Sequence, residues 1–593
     1  MSGFDRVQCT VIQNRLMAIT RDMGTTMLRT SRSPILTEAR DFITALFDET
    51  GRVVAQTEYI PILFASTPEA VRKTGELFEG EIEDGDIFLL NDPFCGGNHL
   101  PDLTILKPVF GPSGRRRFWA VTKGHHADIG GAVMGGYNPG ARDAFQEGIR
   151  IPPLKLYDRG RRREDLWRML LSNTRLPRHL KGDLRAQISA VRLAERRLKD
   201  MLDKWGEDTL LEAIEFFLDA TERRVRQEIA GIPPGRYRAR RALDHDGIDK
   251  SRRVWITVEV TVDSDRIVFD YSGSDPQTKG FVNSSLPNTV SASLIGLFTL
   301  IDPGIPHNEG CSRPVQVIAP PGLVVNAREP APSSLCTLAT AEAMIEAIWL
   351  ALAEVIPRRI PAAWGRVCGP NISGVDPRTG EGFSEITFLR KNGGGAASGF
   401  DGWSHVGTVV CCGGVRAPSI EMHEMDSPLF LLQHEYRMDS GGPGRWRGGL
   451  GVDYVFRVNT PVAQACTTGD GMLEENRAFG LAGGLPGAAN RVYFRRPDGE
   501  TLEMDSKAVY PLTEGTEIHI HSSGGGGWGA PWEREKRLVA MDVRNGFISP
   551  ESALRDYGVV LDAATGEADP KATEQWRREQ AKPAGSPAGG HRP

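Results

Sequence analysis

Asn91-Asp92-Pro93-Phe94-Cys95-Gly96-Gly97-Asn98-His99-Leu100-Pro101-Asp102 is a run that resists helix formation, with prolines at 93 and 101 and paired glycines between them. It reads as a tight loop that fixes His99 and Asp102 by a turn. The next apolar stretch, Arg117-Phe118-Trp119-Ala120-Val121-Thr122, reads as a short strand that carries Gly124-His125-His126-Ala127-Asp128 to its end. Strand ends and the loops they feed are where a rigid sheet positions reactive side chains. Three imidazoles and two carboxylates therefore fall within 30 residues, from His99 to Asp128.

Imidazole nitrogen with carboxylate oxygen suits Zn, Mn or Fe(II), whereas Mg or Ca would call for an all-oxygen shell. If the chain stays extended through His125 and His126, their side chains point to opposite sides and Asp128 lies with His126. Only one of the two histidines then faces a metal readily, and the other supports it or shuttles protons. Spacing alone is equally compatible with polar loop residues satisfied by backbone hydrogen bonds, because no regular metal-finger repeat is present.

Outward from this centre, Val7–Arg29 shows a helical stripe of Val11, Ile12, Leu16, Ile19, Met23 and Met27. Ile87-Phe88-Leu89-Leu90 is a short β run. Residues 183–230 read as a long helical region broken near Trp205-Gly206, with arginine-rich faces at 191–197 and 222–226 that fit a solvated face or a subunit contact. Gly231-Ile232-Pro233-Pro234-Gly235 ends it, and strands follow at 254–260 and 266–270. A second packed helix is expected over Ala339–Val355, and residues 365–530 are glycine-rich strand and loop. The expectation is an α+β, multi-lobed chain: an N-terminal metal-binding and helical region at 1–232, a mixed strand and helix region at 233–364, a mainly β region at 365–560, and a disordered tail at 561–593, poor in aliphatics.

The chain has 593 residues, enough for about four domains or for one or two large lobes. A hydrophobic content of 40%, 25% charge and a net charge of −5 describe an ordinary globular chain with no global attraction to nucleic acid. No apolar run approaches membrane-spanning length and the start lacks a signal-peptide pattern, so a cytoplasmic location is expected. Eight scattered cysteines without CxxC spacing fit reduced thiols, Cys95 in the loop included. Gly393-Gly394-Gly395, Gly441-Gly442 and Gly524–Gly527 lack the GxxxxGK[ST] arrangement, so they read as structural turns or as loops approaching another chain. No GxSxG elbow offers a serine nucleophile.

Several motifs together resemble the hydantoinase B/oxoprolinase family, which includes B subunits of ATP-dependent hydantoinases, lactam-opening relatives and the alpha-type subunits of acetone carboxylases. They are Arg40-Asp41-Phe42 with Ala45-Leu46-Phe47-Asp48, the Asn91–Asp102 run, Gly124–Gly131, Glu147-Gly148-Ile149-Arg150-Ile151-Pro152-Pro153 and Gly182-Asp183-Leu184-Arg185-Ala186-Gln187. Asp439–Gly444, Gly448–Gly451, Gly524–Gly529 and Ser549–Gly558 extend the likeness over residues 5–560.

The resemblance implies one divalent transition metal, Mn, Zn or Fe, held by Asp41, His99, Asp102 and His125. His126, Asp128 or Glu147 would move protons. Asp41 enters only through the family, since a bare aspartate beside Arg40 is otherwise more often structural. In such complexes an ATP-binding companion, the hydantoinase A-type subunit, phosphorylates the substrate oxygen, which fits the lack of a nucleotide motif in this chain. The implied protein is the metal-dependent B subunit of a hetero-oligomeric amidohydrolase that opens a hydantoin, oxoproline or other cyclic amide, with no nucleic acid or membrane partner. The metal would acidify water and polarise the carbonyl-derived oxygen. Within the family the alternative is an ATP-dependent ketone carboxylase subunit; outside it, a non-catalytic scaffold for the ATPase, whose metal site would be closed by four protein ligands.

Overall fold

The computed structural model describes residues 6–580. The chain is α+β, with four sheets and several separate cores. The first sheet consists of β1 (Phe42–Asp48), β2 (Val53–Glu58), β3 (Ile87–Leu90), β4 (Asp102–Phe110), β5 (Arg116–His125), β6 (Leu154–Asp158) and β7 (Arg161–Arg162). Their order across the sheet is β2-β1-β5-β4-β3-β6-β7, with every pair antiparallel. Strand β1 is buried along its whole length because both faces of the sheet are covered. On one face lie the helices Arg6–Thr30, Pro177–Trp205 and Glu207–Ala230, sharing a core with Phe42, Leu46, Leu103 and Ile105. On the other, Val71 of the helix Thr67–Leu77 meets Phe47, Phe88, Leu106 and Trp119.

Helix Arg6–Thr30 buries Ile12, Leu16, Ile19, Met23 and Met27 as their spacing predicts, but Val11 is 44% exposed and lies off the stripe. The break at Gly206 is a positive-φ residue (77°) that ends one long helix and opens the next, a conformation suited to glycine. The second sheet runs Val315–Ile318, Arg266–Asp270, Val254–Asp263, Gly235–Leu243, and packs with helices Leu286–Phe298 and Ala341–Leu352. The expected helix at 339–355 is thus shorter, and is preceded by a π turn over Cys336–Thr340. Two further sheets, Gly382–Ile386 with Cys368–Val375, Ala463–Gly469 and Ala508–Leu512, and Leu429–Tyr436 with Val452–Val458, Glu517–His521, Arg491–Arg495 and Thr501–Glu503, enclose a third core.

The glycine-rich segments meet one another inside this chain. Gly449 N donates to Gly394 O (2.8 Å), Gly525 N to Gly449 O (3.0 Å), and Gly442 N to Gly525 O (2.8 Å). A Cβ on Gly393 would stand 1.9 Å from Gly449 O, and one on Gly525 would stand 2.0 Å from Gly394 O. The glycines are there because backbone packs directly on backbone.

The expected disorder at 561–593 is corrected in its first part. Thr573 is buried within the helix Pro570–Gln580, and a bridge joins Leu561 to Ala568. Arg577 donates to Tyr557 O and Gly558 O, which ties the helix to the body despite its low apolar content. Residues 581–593 lie outside the described residues. The cysteines of the described residues are all free thiols, and no described helix is long and apolar enough to cross a membrane.

Candidate metal centre

The sheet order assembles the centre. Strand β5 lies between β1 and β4, so the residue before β1 (Asp41), the last of β5 (His125) and the first of β4 (Asp102) end up side by side at one edge. Asp102 is the register partner of His125, and His125 N donates to Asp41 O at 3.0 Å. Neighbouring strands lie about 4.8 Å apart, within reach of a shared ion. His99 joins from the turn before β4, where Asp102 N donates to His99 O (3.2 Å). Asn91 holds that loop: its side chain donates to Leu100 O and Ile149 O and accepts from Ile151 N.

His99, Asp102 and His125 are all buried, and one ligand atom from each lies within 4.8 Å of the others. The fit to a cation shows in the polar atoms left over. His99 Nδ1 is 2.7 Å from Asp102 Oδ2, yet neither atom has a hydrogen-bond partner, and His99 Nε2 and His125 Nε2 are also orphaned. Buried nitrogens and oxygens seldom go unpaired unless something else satisfies them. His125 Nδ1 lies 3.3 Å from Asp102 Oδ1.

Electrostatics agrees with a carboxylate shared by two imidazoles. Burial alone would raise the Asp102 carboxyl, but the charge of His99 and the close approach of both rings hold it well below the usual carboxylate range. His99 is lowered, chiefly by burial. For His125, burial is outweighed by its bond to Asp102 and the charge of Asp41, and the ring is raised. Asp41 stands outside the tight group of three but within its field: burial lifts it to about 6, with His125 opposing and Asp102 adding. Arg40 is not among the charges that act on Asp41, and its own Nε has no partner. The Tyr137 ring lies against His99 and His125, with centroids 6.1 and 5.9 Å away.

The other three expected residues lie elsewhere. His126 points away from His125, as extended backbone requires, and its Nε2 is 3.0 Å from Gln187 Oε1 on the helix Pro177–Trp205. Burial lowers that ring to about 4, so it is a neutral support at the back of the centre. Asp128 accepts from Arg175 N (2.6 Å), Arg175 Nε (3.1 Å) and Thr174 Oγ1 (3.2 Å). Glu147 takes the backbone N–H groups of Ser333 and Ser334 at 2.8 Å each, with burial raising it to about 7.

Several residues carry roles that the sequence does not assign to them. Gln187 holds His126 and also donates to Leu103 O; four residues earlier, Asp183 accepts from Arg32 N and Ser33 N. Their i, i+4 spacing within a helix is the available signal. Lys123 is fully buried, with Nζ 2.5 Å from Ser66 Oγ and 3.0 Å from Asn98 Oδ1, next to the ligand loop. Tyr137, Arg390 and Asn392 carry no local pattern.

The family model of hydantoinase B/oxoprolinase matches residues 5–531. The chain belongs to the hydantoinase B/oxoprolinase family. It is 35% identical over 586 residues to the beta subunit of the caprolactamase of Pseudomonas jessenii, covering 97% of this chain and 100% of that one. It superimposes on the crystal structure of the ATP-dependent caprolactamase from the same organism with a TM-score of 0.90, at 34% identity, over 97% and 99% of the two chains. The B subunit of a putative D-/L-hydantoinase from Pseudomonas sp. (strain NS671) is 29% identical over 98% of this chain and 99% of its own length. An acetone carboxylase structure shares the fold, with a TM-score of 0.89 at 20% identity over 97% and 83%.

The opposite orientations of the paired histidines have a measurable consequence. His125→Ala is expected to lose metal. His126→Ala should retain it and lower stability by about 1–3 kcal/mol, since the Gln187 amide is left unpaired in the interior. Elemental analysis and thermal melts of the two variants check this; metal loss in His126→Ala alone would exchange their roles.

Proposed function

We propose that this chain is the metal-dependent B subunit of a hetero-oligomeric, ATP-dependent hydrolase that opens a cyclic amide after a hydantoinase A-type subunit has phosphorylated it. The observation that carries the reading is the convergence of His99, Asp102 and His125, with orphaned buried atoms, against Tyr137, which with Asp41 lines a cavity. The names of the relatives, caprolactamase and hydantoinase, favour a lactam or related ring as substrate.

His99, Asp102 and His125 would hold the ion, with Asp41 as the fourth group on the cavity side. A divalent transition metal bound there would supply Lewis acidity toward substrate and water oxygens. Amide resonance makes a lactam carbonyl a poor electrophile, which gives prior phosphorylation its purpose. The residues of this chain set the geometry: Asn91 fixes the loop of His99, Gln187 fixes the strand end through His126 and Leu103, and the Tyr137 ring excludes solvent from the imidazoles. The cavity that Asp41 lines supports an accessible catalytic centre over the scaffold reading, in which the protein would leave no position open to water or substrate.

Alone, the chain should bind ATP weakly or not at all and leave lactams intact even when loaded with metal. Adding the A-type subunit should produce turnover. With His99→Ala, product formation should stop while part of the substrate-dependent ATP cleavage persists. Ring opening by the purified chain without ATP would contradict the coupled scheme. The shared fold of the acetone carboxylase favours one second reading. Incubating the complex with ATP and a ketone plus bicarbonate, in parallel with a lactam, distinguishes the two.

A further inference from the structure

Among the described residues four arginines are buried: Arg366, Arg390, Arg447 and Arg534. Three are matched by carboxylates. Arg366 pairs with Glu346 (2.7 Å) and Asp470, Arg447 with Asp542 (3.3 Å), and Arg534 with Asp401 (2.7 Å) and Asp542 (2.8 Å). Arg390 differs from them. Its Nη1 has no hydrogen-bond partner, and its Nη2 reaches only Asn371 Oδ1 at 3.4 Å. The ionisable groups facing it are Cys368, Tyr137, Tyr454 and Cys466, thiols and phenols that burial keeps neutral.

Two residues along, Asn392 is 2% exposed, and neither its side-chain nitrogen nor its oxygen is paired. Arg390 and Asn392 line the same cavity as Asp41 and Tyr137, and so adjoin the histidine cluster. A buried charge without a counter-ion is costly, and a buried carboxamide with both ends unpaired adds to the cost. Such groups persist where a ligand completes them. The remaining walls combine apolar Leu338, Phe388 and Val406 with Thr387, Thr408 and Lys391, whose Nζ donates to Val415 O at 2.6 Å.

We propose that this cavity binds a cyclic amide, or its ring-opened form, that carries an oxyanion, with Arg390 pairing the oxyanion and Asn392 matching the amide. The assignment rests on the function proposed above and names the recognition elements of the same site. Guanidinium is suited to planar or tetrahedral oxyanions, which it can grip through two N–H groups. A secondary amide offers one donor and one acceptor, the complement of the asparagine side chain. The apolar walls would take the ring methylenes. The oxyanion has two sources, a phosphoryl group placed on the substrate or a carboxylate of the substrate or product.

Calorimetric titration of the full chain, as purified and after chelator treatment, tests this with inorganic phosphate, 5-oxoproline and ε-caprolactam as probes. Phosphate, 5-oxoproline or both should bind with and without metal, and which of them binds identifies the source. Arg390→Met should weaken that binding by about ten-fold or more, and Arg390→Lys should restore part of it. Asn392→Ala should weaken 5-oxoproline or ε-caprolactam and leave phosphate unchanged. Arg390→Met breaks no ion pair, so its thermal midpoint should equal or exceed that of the parent. Binding of neither oxyanion to the parent chain, unchanged binding in Arg390→Met, or a large fall in its midpoint would overturn the assignment. Turnover assays with the A-type subunit separate the two readings: intact binding without lactam opening defeats the proposed function alone, and lactam opening that survives in Arg390→Met defeats the subsite alone.

Discussion

Replacing His99 or Asp102 by alanine is expected to abolish binding of the proposed divalent metal and to lower turnover of the reconstituted complex by on the order of a thousand-fold or more. Each contributes to the group of three whose ligand atoms lie within 4.8 Å of one another, and nothing nearby replaces it. The fold should survive. Strands β4 and β5 keep their register from Leu103 through Val109, and the loop keeps the Asn91 bonds to Leu100 and Ile149. Asp102→Ala leaves two imidazoles that can stay neutral in the interior, while the buried Lys123 ammonium loses the charge of Asp102 and keeps its contacts with Ser66 and Asn98. Elemental analysis with circular dichroism checks both halves; full metal occupancy in both variants would sink the assignment.

The second large effect is structural. Gly393→Ala or Gly525→Ala should destabilise the chain by more than about 4 kcal/mol, enough to abolish soluble expression. The new methyl would lie 1.9 Å from Gly449 O in one case and 2.0 Å from Gly394 O in the other, against backbone that is itself packed on further backbone. Gly75 supplies the contrast. It lies in the helix Thr67–Leu77 with nothing within 4 Å of an added Cβ. Gly75→Ala should therefore stabilise by about 0.5–1 kcal/mol, the usual difference in helix propensity. Soluble yield and thermal midpoint read all three, and wild-type behaviour of Gly393→Ala would refute close backbone packing.

What can be read from the sequence follows the range of each signal. The helix over residues 6–30, the break at Gly206 and the strands at 254–263 and 266–270 are local, set by apolar period and by a glycine at positive φ. The pairing of His99 with Asp102 is local too. Asp41 is different: its place beside His125 depends on β1 pairing with β5 across some 80 residues, and only family likeness points to it. The partners of Asp128 and Glu147, Arg175 and the amides of Ser333 and Ser334, are equally out of reach of the sequence, because they come from distant segments. Arg390 escapes notice in the sequence because an arginine becomes informative only once its burial and its lack of a carboxylate are known.

The interlocked glycine segments imply an unusual thermal character for their part of the molecule. Apolar surface exposed on unfolding raises heat capacity, and exposed amides lower it. A region joined amide to carbonyl, as Gly394, Gly442, Gly449 and Gly525 are, adds little to the curvature of stability with temperature. Its cohesion also weakens less on cooling than that of an oily interior. Glycine gives up more backbone freedom than any other residue when it is ordered, so a single pair of segments would hold poorly. The segments are therefore expected to order as one unit, and that unit adjoins the wall that carries Arg390 and Asn392.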